Sequence, residues 1–185
     1  MIVYKLIVFA AISAMLVYVS RASLRSPGSH GFYRFFAWEL VLALLLRNID
    51  VWFRAPFAWY QIVSWCLLVI SLVPLALGVR ALIARGKPVA RREEEPELLA
   101  FEKTSALVTD GVYRYIRHPL YSSLLWLAWG IFFKAPDWLG ALVAGAASAL
   151  LVATARADEA ECLRYFGEAY RDYMKRSRRF VPFLF

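Results

Sequence analysis

Cysteine and histidine are scarce in this sequence of 185 residues, with two of each. Cys66 lies inside an apolar run and Cys162 in a late polar stretch, so no disulfide framework is expected. His30 and His118 are far apart, and neither joins the cysteines at metal-ligand spacing; metal catalysis is not expected. Charge is also thin: 19% of residues are charged, 61% are apolar and the mean hydropathy is +0.53. Soluble domains hold roughly 45–50% apolar residues, so the excess calls for lipid as solvent. Acids are outnumbered, 14 against 22 Lys and Arg, for a formal net charge of +8. No basic patch sits on a soluble module, which argues against nucleic acid as a partner. The excess reads as anchoring to anionic headgroups of a lipid bilayer. There is no internal repeat and no low-complexity tract.

What is abundant is apolar runs of membrane length, a crossing needing about 20 residues. Candidates run over Ile2 to Val19, about Phe35 to Phe53, Trp59 to about Ile83, Leu120 to Phe133, and Trp138 to Ala155. The start, with Lys5 before an apolar stretch, could pass for a signal peptide, but the chain stays membrane-like after it and the segment reads as the first span. Lys134-Ala-Pro-Asp137 is too short for anything but a tight helical hairpin between the last two segments. The fourth segment is short, so it tilts, thins the bilayer or starts below the surface. From Ala157 to Arg176, Leu163, Phe166, Tyr170 and Tyr173 recur at helical spacing among charges, which predicts an amphipathic helix. The apolar tail, Phe180 to Phe185, is expected to fold back on the protein.

The expected fold is therefore all-α and integral to the membrane: about five membrane helices, the last two a hairpin, plus a C-terminal amphipathic helix. It forms one domain over 1–185, with three spans in 1–83 and a polar loop, hairpin and amphipathic helix in 84–185. Eighteen of the 22 basic residues fall on one side, which should be cytoplasmic. Both polar segments, before and after the hairpin, then face the cytoplasm. Within the second span, Arg47 and Asp50 are spaced to pair, and Glu39, near the cytoplasmic end, is a candidate substrate-side residue.

The stretch from Ser105 to Tyr121 carries the chemistry. Gly111 permits a tight turn or close backbone approach, and Pro119 suits the first position of a helix. His118 and the free amides of that helix start then lie at the membrane surface, ready for an anionic group. Tyr113, Tyr115 and Tyr121 offer faces that attract a cation. Read blandly, Arg114 and Arg117 are interface anchors and the tyrosines a membrane belt. The second cluster is Asp158-Glu159-Ala-Glu161, followed by Phe166-Gly167. Acids at a helix start are ordinary, but a carboxylate there can also accept an ammonium group.

Together the two clusters resemble the isoprenylcysteine carboxyl methyltransferase and phospholipid methyltransferase group of membrane enzymes. The matching elements are Leu107-Val-Thr-Asp-Gly-Val-Tyr113, Arg117-His-Pro-Leu-Tyr121, the acid pair ahead of Phe166-Gly167, and the ending Tyr170-x-x-Tyr173 with Phe180-Val-Pro182. The resemblance covers about the C-terminal half. It implies transfer of a methyl group from S-adenosyl-L-methionine to a lipid or prenylated small molecule, in a prokaryotic inner membrane or the endoplasmic reticulum. It also implies that Ser105, Ala106, Leu107, Val108, Gly111, Tyr113, His118, Pro119, Leu120 and Tyr121 hold the cofactor with Asp158 or Glu159. Glu159, Arg117 and Arg156 are the candidate catalytic residues. The first acid is Asp158 where relatives have Glu. Thr154 stands where prenylcysteine enzymes have a substrate-binding Arg, with Arg156 the nearest basic residue.

A carboxylate acceptor is already ionised and needs no base, whereas a phospholipid amine must lose a proton, to Glu159 or His118. Two rival readings are a sterol-reductase-like enzyme, with nicotinamide phosphates on Arg114 and Arg117, and a non-catalytic membrane protein.

Overall fold

The computed structural model describes residues 2–85 and 106–182. Ser105, expected at the cofactor, lies outside the described residues. Among the described residues seven α-helices follow in order: α1 (Ile2–Val19), α2 (Arg21–Leu24), α3 (His30–Asn48), α4 (Trp59–Arg85), α5 (Pro119–Phe132), α6 (Trp138–Phe166) and α7 (Glu168–Arg176). Short 3-10 turns occupy Ile49–Val51 and Gly111–Arg114. The helices start where local chemistry favours it. The Ser29 side chain accepts the Phe32 N–H at 3.2 Å and caps α3. Pro119 opens α5. Asp137 caps α6 through the Gly140 N–H at 2.7 Å.

Three helices, α1, α4 and α6, are long and apolar enough to cross a membrane, and α5 adds a shorter apolar helix of 14 residues. The fold is thus an all-α membrane protein. Helix α4 packs on α5, α3 on α6, and α5 on α6. Their shared core holds Leu44, Ala128, Ile131, Ala144 and Ala147. Small residues let the helices approach closely. A Cβ at Gly130 would stand 2.9 Å from Leu68, and the Gly130 carbonyl accepts the Ser64 hydroxyl at 2.6 Å. Helix α1 buries none of its residues, and its apolar side chains face outward, as suits a span bathed in lipid.

Two expectations change. The amphipathic helix foreseen from Ala157 does not begin there. Helix α6 continues unbroken from Trp138 to Phe166, because Ala, Glu, Leu and Arg sustain a helix, and it stops at Gly167, whose φ of +59° suits glycine. At 29 residues α6 is about 44 Å long, against a hydrocarbon core of about 30 Å. Its last turns, with Asp158, Glu159, Glu161 and Cys162, therefore extend beyond that thickness.

Arg47 and Asp50 do not pair with each other. Arg47 bonds Asp137 of the hairpin turn, and Asp50 bonds Lys5 of α1 at 2.5 Å. Helical spacing put Arg47 near Asp50, but the hairpin turn and α1 offer partners at the same depth. At this end Lys134 is buried, its Nζ 3.1 Å from Gln61 Oε1 and 3.5 Å from the centre of the Trp65 ring. These bonds close the end of the bundle remote from the candidate site. Glu39 accepts the Ser13 hydroxyl at 2.8 Å and ties α3 to α1.

Candidate functional site

Three pieces of chain meet at the other end: the loop before α5, the polar end of α6, and the segment after α7. Gly111, with φ +62°, allows the loop to turn. The loop is then held by the tail. The Arg117 N–H donates to the Arg178 carbonyl at 2.7 Å, the His118 N–H to the Arg179 carbonyl at 3.1 Å, and the Arg178 N–H to the Tyr115 carbonyl at 2.9 Å. The Ser122 hydroxyl reaches the Phe180 carbonyl at 2.8 Å, and the Phe180 ring is buried. The tail thus folds back as far as Phe180; Phe183 to Phe185 lie outside the described residues. From α7, the Tyr173 hydroxyl donates to the Tyr113 carbonyl at 2.6 Å.

The tail and loop converge on two adjacent carboxylates. Glu159 is buried and fully engaged. Its Oε1 accepts Arg117 Nε at 2.9 Å and Arg179 Nε at 3.1 Å, its Oε2 accepts Arg179 Nη2 at 2.7 Å, and His118 Nε2 lies 3.3 Å from Oε1. Asp158 takes the other side of the same imidazole, with Oδ2 3.4 Å from His118 Nδ1, and also accepts the Tyr121 hydroxyl at 3.2 Å. An imidazole that donates from both nitrogens is cationic. Burial alone pushes the His118 pKa down, but the bonds and charges of Asp158 and Glu159 outweigh it and hold the group above its ordinary value. Arg117 Nη1 is spent on the Met174 carbonyl at 3.2 Å and the Ser177 carbonyl.

Beside this cluster opens a cavity of about 820 Å³, a volume that includes space open to solvent. Leu107, Val108, Tyr113, His118, Pro119, Leu120, Tyr121 and Asp158, all among the residues named from the sequence, line it. The wall is completed by His30 and Leu82, by Glu161, Cys162 and Phe166, by Tyr170 and Tyr173, and by Arg117. The N-terminus of α5 opens here without a side-chain cap.

Five of the residues named from the sequence stand elsewhere. Glu159 sits behind Asp158 with its oxygens occupied, and Arg156 is exposed outside the lining. Gly111 and Ala106 shape the loop without forming the wall. Tyr115 is 47% exposed and also off the wall. Among the described residues no group of His, Cys, Asp and Glu is placed to hold a metal ion.

Compared with known protein families, residues 97–175 match the family model described as phospholipid methyltransferase. This C-terminal segment is thus similar to phospholipid methyltransferases. It includes both the loop and the acidic end of α6, and it agrees with the resemblance read from their motifs. Neither curated proteins nor solved structures yield a match to the chain. The match spans less than half of the chain and, with the apolar helices, supports a lipid-related membrane methyltransferase.

Sequence reasoning left four contributors to this site unassigned. His30, from the start of α3, lies outside the matched segment yet forms part of the cavity wall. Arg179, in the tail, supplies Glu159 with its second guanidinium. Tyr170 and Tyr173 form the apolar face of a helix, as their spacing predicts, and that face also borders the cavity. The 3.6-residue period could have flagged the tyrosines. Nothing local flags His30.

Proposed function

We propose that the chain is an S-adenosyl-L-methionine-dependent methyltransferase that binds its cofactor in the cavity between the loop before α5 and the end of α6, and that its acceptor is a membrane lipid. The observation that carries this reading is the meeting of Asp158 with His118 and Tyr121 in a wall of tyrosines.

The residues present fit the cofactor. Asp158 can accept its ammonium group, the uncapped start of α5 favours its carboxylate, and the tyrosine faces suit a cationic sulfur. Asp158 is assigned this role because it lines the cavity, whereas Glu159 lies outside the lining and is bound to two guanidiniums. Leu107, Val108, Pro119 and Leu120 supply apolar contact and exclude water. When bound, the cofactor supplies an activated methyl group. The chain aligns the acceptor and keeps the site dry.

A lipid amine is favoured over a carboxylate. Arg156 is exposed and outside the cavity lining, and the Thr154 hydroxyl is spent on the Leu150 carbonyl at 2.8 Å, so neither of these two positions offers a cation to a carboxylate in the cavity. The reductase reading loses support for a similar reason: Arg114 is exposed off the wall, and Arg117 is committed to Glu159, Met174 and Ser177. We read 1–185 as one membrane unit, since His30 of the N-terminal half borders the same cavity. The distribution of basic residues puts the site on the cytoplasmic face.

Purified protein given methyl-labelled cofactor and a total lipid extract is expected to transfer label to an amine-headgroup lipid. Absence of label from every lipid fraction, together with NADPH binding, would overturn the proposal.

A further inference from the structure

We propose that His30, oriented by Glu161, takes the proton from the methyl acceptor. The inference rests on the reading of the cavity above and adds to it a residue from outside the matched segment. His30 is 1% exposed and borders the same cavity as Asp158 and Tyr170. Its Nδ1 lies 2.5 Å from Glu161 Oε2, and its backbone N–H donates to Glu161 Oε1 at 2.9 Å. Both oxygens of one carboxylate thus hold one histidine. A carboxylate at Nδ1 keeps the proton there and leaves Nε2 as the basic nitrogen. Among the described residues Nε2 has no hydrogen-bond partner.

The two bases that sequence alone suggested are spent. His118 meets a carboxylate at each nitrogen, and Glu159 carries two guanidiniums. Glu161 also walls a second, more open hollow lined by Ser26, Ser29, Arg164 and Tyr165. The His30–Glu161 pair therefore stands between the cofactor cavity and a polar recess where a headgroup approaches.

An ammonium acceptor has no lone pair. One of its N–H bonds breaks, the proton passes to His30 Nε2, and the electron pair stays on the nitrogen. That pair forms the new N–C bond, and the donor sulfur leaves as a neutral thioether with the electrons of the broken C–S bond. The imidazolium returns its proton to water. Burial and three charged groups set the titration of His30. Burial lowers its pKa, Glu161 and Asp158 raise it, and Arg34 lowers it, with a net rise above the ordinary value. Further titratable groups in the same wall include Arg117, His118, Tyr121, Cys162 and Tyr170. His30 must be neutral to accept a proton, so the acidic limb of the rate profile lies above about pH 6.5.

The test uses full-length protein in detergent as wild type, His30→Gln and Glu161→Gln. Three quantities are measured: S-adenosylhomocysteine affinity, the histidine NMR titration without cofactor, and kcat against pH on an ethanolamine-headgroup phospholipid in mixed micelles. Affinity should stay within about threefold in both variants. His30→Gln should lose about 100-fold or more in kcat at pH 7, with KM little changed, and recover toward high pH as the amine sheds its own proton. Glu161→Gln should move the His30 titration and the acidic limb together to lower pH. An unchanged kcat profile in His30→Gln would overturn the proposal, as would a Glu161→Gln variant whose His30 titration moves while the rate profile does not. If His30→Gln fails to fold, Glu161→Gln decides alone. Wild-type protein that binds no S-adenosylhomocysteine would instead sink the cofactor reading.

Discussion

Replacing Glu159 by alanine is expected to lower the thermal midpoint of the detergent-solubilised protein by about 10 °C or more. Glu159 is the common partner of Arg117, Arg179 and His118, and its side chain is 6% exposed. Truncating one member of a buried ionic group leaves the others desolvated and unpaired, at a cost of about 3–5 kcal/mol. For a chain of this size each kcal/mol shifts the midpoint by about 2–4 °C. The bond network also ties three segments together: the loop through Arg117, the tail through Arg179, and α6 itself. The loss should therefore show in local order as well, with faster amide exchange in residues 111–118 and 177–180. Glu159→Gln keeps the shape and some of the hydrogen bonds, so it should fall between wild type and alanine. A midpoint within about 2 °C of wild type for Glu159→Ala would show that the cluster contributes little.

Asp158→Asn should do the reverse: little harm to the fold and a large loss of cofactor affinity. Asparagine keeps the size of the side chain and can still accept the Tyr121 hydroxyl, which bonds Asp158 at 3.2 Å. What it removes is the negative charge beside the cavity. Losing one partner of a largely desolvated charge pair costs about 2–5 kcal/mol, so S-adenosylhomocysteine should bind roughly 30-fold more weakly or worse by calorimetry. The two adjacent acids are thus expected to separate cleanly, with Glu159 governing stability and Asp158 governing binding. Equal affinity in Asp158→Asn and wild type would remove Asp158 from the proposed cofactor site.

The parts of the molecule governed by local pattern were legible. Apolar runs gave the helices α1, α4 and α5 nearly to the residue, and Pro119 marked the start of α5 because its ring suits the first helical position. The meeting of the two polar motifs at one end of the bundle followed from counting spans and basic residues, and His118 does lie within 3.4 Å of Asp158. What escaped depends on partners distant in sequence. His30 meets Glu161 across 131 residues, and no residue near His30 hints at it. Arg47 finds Asp137 across 90 residues in place of Asp50, three positions away. The length of α6 was misjudged for another reason. Hydropathy ends at the membrane surface, whereas helix propensity continues through Asp158, Glu159 and Leu163 until Gly167 breaks it. Glu159 and Asp158, adjacent in sequence, differ in role because a helix turns about 100° per residue; one faces the guanidiniums and the other the cavity.

Cys162 offers the most direct measurement. Its sulfur lies 3.5 Å from Asp158 Oδ1 and it borders the cavity, while Cys66 is exposed on α4. In a Cys66→Ser background, alkylation of Cys162 by a small maleimide reports directly on what fills that space. Saturating S-adenosylhomocysteine should slow the reaction by about tenfold or more, and NADPH should leave it unchanged. An alkylation rate indifferent to S-adenosylhomocysteine would mean that the sulfonium donor does not reside between the loop and the end of α6.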